Sequence, residues 1–316
     1  MPFDGLAAPV AGLPSDRGED GCVLRVKDVL RPLTADASGA AAIIGFASDE
    51  GVRRNHGRVG AAAGPLAIRR VLERLPVHDE APLYDAGDVA CTDGDLEGAQ
   101  ARLAEALAGL MGRGLRPVVL GGGHEVAYGS FLGLANHLGE RFAGTRLLVV
   151  NLDAHFDLRL APRPNSGTPF RQMAEFCASR GADFRYLCFG ISELANTTAL
   201  FERARALGVE YWLDEEMRAS DAAHLGAALT QRLIAADAVY LSIDLDVLSQ
   251  AVAPGVSAPA ARGVALEIIE DLVDEILASG KLALADIAEF NPALDRDDQT
   301  ARVAARLAYR LLRKPR

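Results

Sequence analysis

From Ala41 onward the chain alternates short apolar runs with longer segments of helical period, and this alternation narrows the possible folds most. The apolar runs fall at 41–46, 82–86, 116–120, 146–152, 185–189, 209–213, 238–243 and 282–287. Helical spacing marks 64–75, 96–112, 125–138, 170–180, 196–207, 221–235, 264–279 and 297–312. Repetition of this kind predicts an α/β protein whose parallel sheet carries helices on both faces. Gly64-Pro65 suits a helix start, since proline is tolerated in the first turn. No linker-like stretch or internal repeat follows residue 40, so 41–316 reads as one domain. Residues 1–40, rich in Gly, Pro and Asp with one short apolar patch around Val23 to Val26, read as an irregular arm with room for one short element.

Composition removes several function classes. Half of the 316 residues are hydrophobic, enough for a sizeable core. The formal net charge of -10 argues against nucleic acid or an anionic membrane surface as partner. No apolar stretch approaches the ~20 residues of a membrane span. The N-terminus shows no basic region followed by a continuous apolar core, so no secretory signal is read there. Cys22, Cys91, Cys177 and Cys188 are scattered without C-x-x-C spacing, as expected of reduced thiols in a cytoplasmic protein.

Four motifs close four of the apolar runs: Gly121-Gly-Gly-His124-Glu125, Asn151-Leu-Asp153-Ala-His155-Phe-Asp157, Ser242-Ile-Asp244-Leu-Asp246 and Asp286-Ile-Ala-Glu289-Phe-Asn291-Pro292. In open α/β sheets the carboxyl ends of the strands form the ligand-binding rim. Two carboxylates ~4 Å apart repel by roughly 4 kcal/mol at an effective dielectric near 20. A rim with this many acids therefore calls for cations. In an extended segment residues i, i+2 and i+4 point the same way, which would align Asp153, His155 and Asp157, and likewise Asp244 and Asp246. Oxygen and imidazole donors without thiolate suit a cation such as Mn²⁺. Together with His124 they suffice for two octahedral ions, a centre that generates hydroxide at neutral pH.

Blander readings exist for each motif alone. His124 could be a turn residue, and Asp153-x-His155-x-Asp157 a hydrogen-bonded turn. Asp244 could cap the next helix. The three glycines could cradle a phosphate, although no Lys-Ser/Thr follows as in a P-loop. Convergence of four motifs on one rim favours the metal reading. His56, His78, His137 and His224 lack a partner pattern and read as surface or packing residues.

The ordered set GGGHE, NLDAHFD, SIDLDVL and DIAEFNP resembles the arginase/agmatinase (ureohydrolase) family, from about residue 41 to the C-terminus. The resemblance implies a three-layer α/β/α sandwich with an eight-stranded, mainly parallel sheet. It implies two Mn²⁺ ions per subunit, hydrolysis of a guanidine or amidine C–N bond, and a homo-oligomer. Carried over by motif, His124, Asp153, His155, Asp157, Asp244 and Asp246 are metal ligands. Asp157 is also a catalytic hydrogen-bond acceptor, and Glu289 grips the planar cationic group of the substrate. Arginases carry a further histidine in a Ser-Gly-Asn-x-His stretch. Here Ser166-Gly-Thr168-Pro-Phe170 puts Phe170 at that position, which weighs against arginine as substrate. The stretch Leu248-Ser249-Gln250 after Asp246 departs as well.

Other segments look like the formimidoylglutamase branch: Ser48-Asp-Glu-Gly-Val-Arg53-Arg54-Asn55, Gly57-Arg58-Val-Gly60, Asp157-Leu-Arg159, Ser166-Gly-Thr168 and Ala253-Pro-Gly-Val-Ser257. That branch cleaves N-formimidoyl-L-glutamate to L-glutamate and formamide in histidine breakdown. Its substrate carries two carboxylates, so Arg53, Arg54, Arg58 and Arg159 are the expected anion-binding set, with Ser166 and Thr168 beside them. Two other readings stand next to it. One is an agmatinase or guanidino-acid hydrolase releasing urea; the other is a metal-binding regulatory protein without turnover.

Overall fold

The computed structural model describes residues 23–313. Cys22 and residues 1–22 of the expected arm lie outside the described residues. Among the described residues nine strands form one sheet: β1 (Leu30–Pro32), β2 (Ala41–Ala47), β3 (Leu83–Ala90), β4 (Arg116–Leu120), β5 (Leu147–Leu152), β6 (Arg185–Ile191), β7 (Glu210–Leu213), β8 (Ala238–Asp244) and β9 (Leu282–Ala288). Their order across the sheet is β1-β3-β2-β4-β9-β8-β5-β6-β7, and every pairing is parallel. The eight expected strands are all present. The sheet has nine because Leu30–Pro32, within the stretch expected to be irregular, adds an edge strand beside β3.

Ten α-helices among the described residues accompany the sheet: α1 (Val26–Val29), α2 (Glu50–Arg54), α3 (Gly64–Leu72), α4 (Leu96–Gly112), α5 (Val126–Leu138), α6 (Pro169–Ser179), α7 (Thr198–Ala206), α8 (Ala222–Ala235), α9 (Leu266–Ala278) and α10 (Gln299–Leu312). Side chains alternate faces along each strand. Leu148, Val150 and Leu152 of β5 therefore join one core with α3, α8, α9 and α10. Leu147 and Val149 join a second core with α4, α5, α6 and α7. Both faces are covered, which gives three layers.

The central strands are in step at their carboxyl ends. Leu120 pairs with Ile287, Ile287 with Ile243, and Ile243 with Leu152. The residues one step beyond this row are Gly121, Ala288, Asp244 and Asp153. Register alone therefore brings the four motifs to one level on four adjacent strands.

Candidate metal centre

Gly122 shows why the first motif needs glycine. A Cβ there would lie 1.7 Å from the carbonyl oxygen of Ser48. The amides of Gly121, Gly123 and His124 bond to Ile287 O, Ser48 O and Glu289 Oε1 at 2.7, 2.9 and 2.7 Å. Those donors are already spent on protein, so the stretch is a packed crossing and not a phosphate cradle.

The next two motifs reach the rim by turns. Residues 153–157 are not extended: the amide of His155 donates to Asp153 Oδ1 at 2.7 Å, and Asp157 sits at φ 49°. After β8, Leu245–Val247 is a short 3-10 helix, which Asp244 caps by accepting from the amide of Asp246 at 2.8 Å. The expectation of an extended run is thus corrected. Side-chain acceptors bend the backbone, and the turns bring the ligands together. Asp157 and Glu289 (φ 68°) are two of the five non-glycine positions with left-handed backbone among the described residues. Such conformations are sparsely populated and concentrate at functional sites.

The six expected ligands converge. His124 Nδ1 lies 3.2 Å from Asp153 Oδ2, 2.9 Å from Asp157 Oδ2 and 3.1 Å from Asp244 Oδ2. His155 Nδ1 lies 3.0 Å from Asp246 Oδ2 and 3.5 Å from Asp153 Oδ1. Asp153 thus presents one oxygen to each imidazole. Two ligand groups result, His124/Asp153/Asp157 and Asp153/His155/Asp246, with Asp153 common to both.

Hydrogen bonding fixes the His124 tautomer. Ser242 Oγ donates to Asp286 Oδ1 at 2.6 Å, so its own proton is spent. It can then only accept from His124 Nε2, 2.9 Å away. Tyr240 donates to the other oxygen of Asp286. With Nε2 protonated, the Nδ1 lone pair faces three carboxylate oxygens, and Nδ1 has no hydrogen-bond partner despite full burial. Such an arrangement is repulsive unless a cation lies between the groups. Two divalent cations therefore fit these residues.

Titration follows from the same crowding. Without cations a proton on Nδ1 relieves that repulsion: burial opposes the imidazolium of His124, but Asp153, Asp157 and Asp244 outweigh it and hold its pKa well above the ordinary value. Burial, then the charges of Asp246 and Asp153, push Asp244 well up. Asp246 rises to about 6, chiefly through burial. Glu289 is pushed up to about 8 by burial and by the nearby charge of Glu125.

The expected anion-binding residues divide. Arg54 is almost fully buried and spends its guanidinium on Glu50, Glu97, Gly94 O and Pro164 O. Arg58 donates to Ser257 O and Val256 O. Arg53 is more exposed but forks onto Glu50. Thr168 is buried, with its hydroxyl bonded to Asn165 O and Gln172 Oε1. Arg54 and Thr168 are thus committed to protein partners, whereas Arg58 is exposed and keeps Nη1 without a hydrogen bond to the described residues. Ser166 accepts from Asn55 at 3.1 Å. Arg159 is exposed, and its guanidinium makes no ion pair or hydrogen bond among the described residues. Phe170 is buried, edge-on to His124 at 5.4 Å and stacked on Tyr186 at 4.4 Å, so that position offers no proton carrier.

Sequence reasoning assigned no role to the supporting groups Asn151, Tyr186, Ser242 and Asp286. Asn151 donates to Asp153 Oδ2 at 2.9 Å. Three of the four lie inside the quoted motifs, two or three residues before a ligand or before Glu289, and that placement was the available signal. Glu125, the last residue of the first motif, is a further support. Its Oε1 accepts from Ser48 Oγ and the amide of Gly51, tying α2 to the ligand loop.

Comparison with known proteins agrees with this geometry. A family model described as the arginase family matches residues 39–313. A formimidoylglutamase of Ralstonia nicotianae is 56% identical over 294 residues, covering 92% of this chain and 88% of that one. The structure of Trypanosoma cruzi formiminoglutamase with Mn²⁺ superposes with a TM-score of 0.81 at 28% identity, covering 92% of this chain and 98% of that one. The formimidoylglutamase of Bacillus subtilis, at 23% identity, shares the fold with a TM-score of 0.82 over 94% of each chain.

Proposed function

The chain belongs to the arginase family, and from that premise we infer that it hydrolyses N-formimidoyl-L-glutamate to L-glutamate and formamide. The observation that carries this reading is the pair of ligand groups sharing Asp153, in a chain so close to proteins of that activity. His124, Asp153, Asp157 and Asp244 would hold one Mn²⁺, and Asp153, His155 and Asp246 the other. When bound, the two ions supply Lewis acidity and lower the pKa of water to near neutrality.

Protein groups do the rest. Glu289 gives Oε1 to the amide of His124, and we assign its Oε2 to the amidinium N–H of the substrate. Asp157 Oδ2 is turned to His124; its Oδ1 takes the proton of the attacking water and returns it to the glutamate nitrogen. With the water oxygen bonded to the formimidoyl carbon, the C–N bond breaks with its electron pair going to that nitrogen, and the remaining hydroxyl proton passes to the freed amine as formamide leaves with the new carbonyl. Arg159, whose guanidinium is uncommitted among the described residues, takes a substrate carboxylate. The same reading places the enzyme in histidine degradation, as a cytoplasmic homo-oligomer whose state light scattering would test. No helix among the described residues is long and apolar enough to cross a membrane.

The decisive assay loads the protein with Mn²⁺ and measures formamide and urea from N-formimidoyl-L-glutamate, agmatine, arginine and guanidinobutyrate. Formamide from the first substrate is expected to dominate. Faster urea release from any of the guanidines overturns the reading.

A further inference from the structure

A substrate with two carboxylates calls for more than one cation, and Arg54 is spent on the protein itself. A cavity of about 390 Å³ adjoins the ligand cluster, with His155 in its wall. That volume is within the range of small-molecule sites. Ser192, Glu193, Asp214 and Glu215 also line it, and Arg262 is its one basic residue besides His155. Among the described residues Arg262 makes no ion pair or hydrogen bond. Its charge reaches Asp214, whose pKa burial nevertheless raises.

The backbone that carries Arg262 is held firmly. Gly263 sits at φ 61°, and a Cβ there would lie 2.2 Å from the amide nitrogen of Ser249. Val264 N donates to Val247 O at 2.8 Å, and Gln250 N to Ala260 O at 2.8 Å. The loop is thereby fastened on both sides of Arg262 to the segment that directly follows the ligand Asp246. The guanidinium on this held backbone is exposed and makes no hydrogen bond or ion pair among the described residues, so it is free to meet a ligand in the cavity.

We propose that Arg262 determines substrate specificity, binding one carboxylate of the substrate in the cavity beside His155. The proposal rests on the formimidoylglutamate reading. A guanidinium meets a carboxylate through two parallel hydrogen bonds. It also offsets the repulsion that Glu193, Asp214 and Glu215 would exert on an anionic substrate.

The test compares wild type with R262Q and R262K, each loaded with Mn²⁺ and checked for metal content. R262Q is expected to raise KM for N-formimidoyl-L-glutamate about 10- to 100-fold, as for loss of a charged hydrogen-bond pair, with kcat within about twofold and R262K restoring part of the loss. Calorimetric titration with L-glutamate is expected to show weaker binding to R262Q, independent of turnover. An unchanged KM in R262Q, or a fall in kcat accompanied by loss of metal, overturns the proposal. Should wild type release no formamide, the functional reading fails instead; an active wild type with an indifferent R262Q sinks only the role of Arg262.

Discussion

Ser242 is where a single hydroxyl decides which nitrogen of His124 is free. Its proton goes to Asp286, so the imidazole must donate from Nε2 and present Nδ1 to the carboxylates. S242A removes that constraint and is expected to weaken Mn²⁺ affinity about 10- to 100-fold, measured by competition with a chelator. D244N removes a ligand oxygen and is expected to abolish turnover and lower the metal content per chain; near-normal activity would refute the ligand assignment. The ligands themselves were legible because acids and histidines gathered at the ends of apolar runs repel one another unless a cation joins them. Their support was less so. Asn151, Ser242 and Asp286 sit inside apolar strands, where a lone polar residue gives no sign of which neighbour it serves. The geometry of Asp153 to Asp157 was also misjudged, because spacing of two says nothing about an aspartate that bends its own backbone.

Among the elements, α2 shows how charge secures a short helix. Glu50 is buried and holds Arg53 and Arg54, and these bonds bring its pKa down to about 2, with the Arg53 contact the largest cause. A carboxylate depressed in this way stabilises the fold above its unfolded value near 4.5, and that contribution disappears as pH falls through about 2. Melting curves of wild type and E50Q should therefore differ above pH 4.5 and converge toward pH 2. At the end of β4, G122A forces a methyl group against the Ser48 carbonyl. The atoms it meets are all backbone, of Phe46 and Ser48, and leave little room to relax, so a loss of about 1–3 kcal/mol is expected in denaturant unfolding. The central strands were visible as apolar runs because both of their faces are covered. β1 was not. It has three residues, ends in proline and leans only on β3, so it lacks the apolar pattern that a covered strand requires.

For the molecule as a whole, cation binding and folding are linked. An ion present at 100 times its Kd stabilises the native state by about 2.7 kcal/mol. Each kcal/mol is worth about 2–4 °C in a domain of this size class. Chelation is thus expected to lower the calorimetric Tm by about 5–10 °C, and an unchanged Tm would mean that the cluster binds no ion. At this scale the sequence disclosed the layered architecture but not which arginines are uncommitted. Arg54 and Arg262 look alike in a string of letters; only packing shows that the first is enclosed by partners and the second is not. The strand order has a temporal corollary. β4 and β5 follow one another in the chain, yet β9 and β8 lie between them, a gap of three strand spacings or about 14 Å. A ribosome that has delivered His124 and Asp153 has made two halves of a pocket that no strand yet holds in register, and only the last quarter of synthesis supplies β8 and β9 between them. Manganese capture would then mark the completion of the polypeptide, and stalled nascent chains ending before residue 238 should retain none.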